Sequence, residues 1–102
     1  MLNILKRMYV NSEQKRYKIV QYRFTPTTLD RTGDLLFETN RIKEARGQIK
    51  QHFNSHIEMM IKHDLVWSDF EVEIEPDYAS IVCFENNEMV YKYIVKIEIE
   101  NV

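Results

Sequence analysis

Five carboxylates stand at alternate positions, Asp69, Glu71, Glu73, Glu75 and Asp77, in the run DFEVEIEPD. On an extended strand all five project from one face, about 6.8 Å apart, because each residue rises about 3.4 Å. Neighbours at that spacing repel by only about 0.6 kcal/mol in bulk water, before salt screening. A solvated sheet face, or an edge strand charged against aggregation, therefore accounts for the row. The chemistry it offers beyond that is imitation of a nucleic-acid backbone, filling the basic groove of a protein that handles DNA or RNA. Duplex DNA carries one charge per about 1.7 Å of axis, about four times the density of this row. A convincing mimic needs more carboxylates, and Glu85, Glu88, Glu98 and Glu100 are the candidates, since they flank the strands next in sequence. Calcium is a poor fit. It wants about 6–8 oxygens converging on one point, whereas a straight row splays them apart.

Three histidines form the second set. His52, His56 and His63 fall on one side of a helix, and His52 and His56 have the i, i+4 spacing that lets two imidazoles share a metal. Position 53 is Phe, so the glutamate of a His-Glu-x-x-His site is missing, and no further ligand is tied to the pair by spacing. All three border the apolar stripe, which assigns them to the boundary between core and water, and no metal is expected. Cys83 lies in an apolar run and reads as an inert core thiol. Trp67, in DLVW, reads as a core anchor where helix gives way to strand.

The N-terminal third sets Lys15, Arg16, Lys18 and Arg23 among Tyr9, Tyr17, Tyr22 and Phe24. Cations beside aromatics are how many single-strand binders work. The pI of about 5.9 speaks against this, because such domains are usually strongly basic. Solvated strand positions and core aromatics explain the same residues.

No phosphate loop, Gly-x-Gly-x-x-Gly, Gly-x-Ser-x-Gly or Cys-x-x-Cys occurs. With only 2 glycines, a glycine-rich phosphate cradle is excluded. Nothing nominates a nucleophile with its base, and neither an enzyme nor a cofactor is expected.

The elements that must position these residues come from a chain of 102 residues, one domain's worth. Hydrophobic residues are 44% and charged ones 29%, which is globular rather than disordered. A single cysteine cannot form an internal disulfide, which fits a reducing, cytoplasmic setting. The first residues lack a long apolar region, so a signal peptide is not expected, and no apolar run approaches a membrane span.

The net charge of −2 is unevenly spread. Residues 1–33 carry seven bases against two acids, and residues 34–63 five against four. Residues 64–102 carry two bases against ten acids, a net of −8. Such asymmetry points to partners rather than to fold. The basic end of one copy meeting the acidic end of another is one way to satisfy it.

Residues 1–15 are ambiguous between a helix and a short strand. Tyr17–Thr25 reads as a strand ended by Pro26, residues 26–34 as a loop, and Leu35-Leu36-Phe37 as a short strand or the approach to a helix. The helix runs from about Arg41 to about His63 with Asn40 as N-cap. Ile42, Ile49, Phe53 and Met60 share one arc, with Ala45 and Ile57 at its edges, so one face is covered. Phe70, Val72 and Ile74 alternate with acids, Ala79–Phe84 is apolar on both sides as a central strand would be, and Asn86-Asn87 is a two-residue turn. Met89–Glu100 follows, with Tyr91, Tyr93, Val95, Ile97 and Ile99 on its apolar face.

The expected fold is therefore one α+β domain: a small antiparallel sheet of four or five strands with one long amphipathic helix across one face, in the order β(β)–α–β–β–β. The expected function is a non-enzymatic protein-binding module that presents the acidic face to a partner with a basic surface. The concrete version is an inhibitor from a phage or mobile element, of anti-CRISPR or anti-restriction type. Abundant Lys, Asn, Ile, Tyr and Glu, as in AT-rich coding sequences, agree with that origin. The alternatives are a nucleic-acid-binding accessory protein using Lys15, Arg16, Lys18 and Arg23, and a structural or assembly subunit that forms a homo-oligomer.

Overall fold

The computed structural model describes residues 15–29, 33–65, 67 and 69–101. The reading of residues 1–14, and the charges on Lys6, Arg7, Glu13, Asp30 and Arg31, lie outside these.

Strand β1 (Lys15–Thr25) is rich in β-branched and aromatic residues and stops before Pro26, whose ring would deny the ladder a donor. A turn at Pro26-Thr27 leads to β2 (Thr28–Leu29), which folds back on the end of β1. The segment Leu35-Leu36-Phe37 belongs to β3 (Asp34–Thr39), which pairs with β1 through a bulge between Ile19 and Val20. Helix α1 (Ile42–Lys62), the one helix among the described residues, follows. Then come β4 (Asp69–Ile74), β5 (Tyr78–Glu85) and β6 (Glu88–Asn101). All pairs are antiparallel, in the order β2-β1-β6-β5-β4, with β3 beside β1. This is the expected α+β arrangement.

Register explains the two faces. Ile19 stands opposite Ile97, Val95 opposite Ala79, and Tyr93 opposite Ile81. These side chains share one face, which meets Ala45, Ile49, Phe53 and Met60 from α1 in the core. The hairpin between β5 and β6 turns at Asn86 and Asn87, with φ of 53° and 66°, the left-handed values that a two-residue turn demands and Asn tolerates.

The helix begins one residue later than expected, at Ile42. Arg41 occupies the N-cap position and makes no side-chain cap bond, while its own backbone N–H donates to Thr39 Oγ1. Thr39 thus holds the turn into the helix, and Asn40 is not the cap. At the other end Asp64 adopts φ 55°, the left-handed conformation common where a helix stops.

On the helix-free face Gly33 lies hard against β1. A Cβ there would stand 2.2 Å from Val20 Cγ1 and 2.7 Å from Tyr22 Cζ. Only a residue without a side chain permits that approach, and it leaves Val20 buried on the side away from the helix.

Candidate functional site

Strand β4 is the outermost strand on one side of the sheet. It pairs only with β5 among the described residues, and all six of its residues are exposed. Phe70, Val72 and Ile74 stand opposite Cys83, Ile81 and Ala79, so they face the helix layer. They are nevertheless 52%, 43% and 62% exposed, because α1 lies over the middle of the sheet and stops short of its margin. Asp69, Glu71 and Glu73 take the opposite face.

Between β4 and α1 runs an apolar groove. Its first hollow, about 310 Å³, has Ile81 and Cys83 on its floor, Ile57 and Ile61 on the helix wall, and Phe70 and Val72 on the strand wall. Trp67 also lines it. A second hollow, about 480 Å³, continues past Ile74 and Pro76 under Arg46 and Lys50. The two share Phe53 and Asn54, so they adjoin along the helix.

The predicted carboxylate set is only partly assembled. Asp69, Glu71 and Glu73 form a row on β4, and Glu75 follows, its backbone N–H donating to the Tyr78 carbonyl. The Tyr78 hydroxyl donates to Glu73. Asp77 has left the row and accepts from Arg46 Nε at 2.9 Å, because the turn at Pro76 swings it to the helix side. Glu85 and Glu88 face each other at the β5–β6 hairpin. Glu98 and Glu100 are on β6, separated from the β4 row by β5, and both are compensated. Tyr22 donates to Glu98 at 2.7 Å with Lys96 3.6 Å away, and Lys18 bonds Glu100. That bond raises the Lys18 pKa and lowers that of Glu100.

Three of the four basic residues, Arg16, Lys18 and Arg23, are paired in place. Arg16 is 3.5 Å from Glu38 and Arg23 is 3.3 Å from Asp34. Arg16 and Lys18 point to the helix-free face, while Lys15 and Arg23 take the other, so the four do not form one patch.

The histidines divide as well. His56 is buried at 9% exposure and stacks on Tyr93 with ring centroids 3.6 Å apart. It shares a 2.9 Å hydrogen bond with the Tyr91 hydroxyl. Burial, reinforced by Arg23, pulls its pKa down to about 4, so the imidazole is neutral at neutral pH. Burial pushes Tyr93 up to about 12, keeping its hydroxyl a donor to Gln21 at 2.9 Å. His52 bonds Gln48 instead, and His63 caps the helix C-terminus. The described residues contain no cluster of three or more metal-ligating side chains.

Cys83 is 1% exposed and burial holds its pKa up, so a reactive thiolate is disfavoured. Trp67 packs against the core and stacks on Tyr91 at 5.9 Å, yet also borders the groove. The exposed inner face of β4 is what the sequence reading missed. The alternation of Phe70, Val72 and Ile74 was its signal, but alternation does not reveal how far the helix reaches.

No helix among the described residues is long and apolar enough to cross a membrane. The chain matches no protein-family model, no curated protein and no solved structure.

Proposed function

We propose that this protein is a non-enzymatic protein-binding module whose contact surface is the β4 margin. The supporting observation is the pairing of an open strand edge with an apolar groove. An edge strand offers backbone N–H and C=O groups to another chain, and exposed apolar walls offer it burial. A small-molecule pocket fits less well, since such pockets carry a few convergent polar groups that fix a ligand's orientation. Here the first hollow has Asn54 as its one polar lining residue.

The narrower reading, mimicry of a nucleic-acid backbone toward a basic host protein, has less support. The row on β4 is short, and two of the four carboxylates that would extend it, Glu98 and Glu100, are compensated by Lys18, Lys96 and Tyr22.

The test is a pull-down with the full-length protein as bait, run beside Val72→Asp and a helix-free-face control, Lys92→Ser. Circular dichroism checks that each variant folds. A partner held by the wild type and by Lys92→Ser, but lost from Val72→Asp, supports the reading. Equal capture by all three, or none by any, overturns it.

A further inference from the structure

We infer that the β4 margin takes an extended polypeptide segment as an added strand, and that the segment alternates basic and apolar side chains. The inference rests on the reading of the β4 margin as a contact surface and names what it contacts.

Two faces of β4 set the requirement. A strand laid beside β4 places successive side chains on opposite faces of the sheet. On the helix side they come next to Phe70, Val72 and Ile74, which are 43–62% exposed over the groove. On the other side they come next to Asp69, Glu71 and Glu73, about 5 Å away by ordinary cross-strand spacing. Apolar residues suit the first set and cations the second. Recognition by strand addition works this way elsewhere: main-chain hydrogen bonds supply affinity and alternate side chains supply specificity.

The same geometry disfavours a second copy. Two β4 strands paired about a two-fold axis would set carboxylates against carboxylates on the helix-free face, and like charges directly opposite are destabilising. The acid row thus resists self-pairing while leaving a basic strand welcome. A row serving only to block pairing would not require the inner face of β4 to stand open over a groove.

The experiment titrates full-length protein with capped heptapeptides and reads the emission of Trp67, the only tryptophan, which lines the groove. Four peptides are compared: alternating lysine and valine, alternating glutamate and valine, alternating lysine and serine, and the lysine–valine peptide with N-methylated backbone. The lysine–valine peptide is expected to bind at least tenfold more tightly than the other three, and to weaken severalfold between 50 mM and 500 mM salt. Equal binding of the glutamate–valine peptide overturns the charge requirement, and equal binding of the N-methylated peptide overturns strand addition. Binding by none of the four also overturns it. If the pull-down still finds a partner that Val72→Asp loses, the contact surface stands and only the strand mode falls. A dimer in light scattering that Val72→Asp abolishes would seat a second copy on the edge and refute the inference.

Discussion

Toward one side of the sheet β1 is flanked by β3 and β2, while at the other margin β4 has only β5 among the described residues. Strand β1 has partners on both sides, although β3, the outer strand there, itself pairs only with β1 among the described residues. Ile19 is fully buried toward the helix, Val20 is buried beneath Gly33 on the opposite face, and Arg16 and Arg23 pair with Glu38 and Asp34 of β3. The β4 margin has an exposed inner face, and its outer face carries carboxylates of one sign. Strand β4 alternates polar and apolar residues strictly, whereas β1 sets Ile19 and Val20 side by side and buries one on each face. They differ in reach as well: α1 covers a sheet this wide only in part, and it is placed toward β1. The residues around β1 hold the fold, while those on β4 remain available for contact.

The largest expected effect tests that division directly. Ile19→Ala removes a fully buried side chain and should cost about 2–5 kcal/mol, the usual range for such truncations. Ile74→Ala removes one that is 62% exposed and should cost about 1 kcal/mol or less. Urea midpoints at unchanged slope give both values. Equal losses would mean that something covers the inner face of β4 in solution, and the contrast between the margins would disappear.

Acid gives a second separation, of middle size. His56 lies in the covered region, and its folded pKa of about 4 is below the unfolded value of 6.5. Between those values the unfolded chain binds the proton and the folded chain does not, so stability rises with pH. The contribution is complete above about pH 6.5 and is lost as pH falls toward 4, by an amount of order 1–3 kcal/mol. His56→Gln should be less stable at pH 7.5 and should flatten the profile over that window in denaturation series. An unchanged slope would mean that the imidazole is hydrated in the native state.

The helix was legible because its apolar positions repeat at helical spacing, and Ala45, Ile49, Phe53 and Met60 are indeed its buried face. The central place of β5 was legible from the unbroken apolar run Ala79–Phe84, and the hairpin from Asn86-Asn87. Strand register was not legible, because it depends on pairings far apart in sequence. It is register that brings Lys18 to Glu100 and Tyr22 to Glu98, and so removes two carboxylates from the candidate face. The row is shorter than its spacing in sequence suggests for a local reason: the chain turns at Pro76, so Asp77 meets Arg46 rather than continuing the line. The cap is not legible either, since Thr39, still in β3, accepts from the Arg41 N–H and the N-cap position falls on Arg41.

The smallest expected effect concerns the charges alone. Glu71 stands between Asp69 and Glu73 on the exposed strand and has no ion pair or hydrogen bond among the described residues. Glu71→Gln keeps the shape and relieves two repulsions of about 0.6 kcal/mol each in unscreened water. At physiological salt, with a screening length of about 8 Å, the gain falls to about 0.5 kcal/mol, and at 1 M it should vanish. Paired urea titrations at the two salt concentrations measure the difference. The β1 side should respond in the opposite sense, since Arg23→Gln breaks a pair worth at most about 1 kcal/mol, a contribution that salt also weakens. If Glu71→Gln instead destabilises the fold, a cation in the native state lies close to the row, and β4 is not free to receive one from outside.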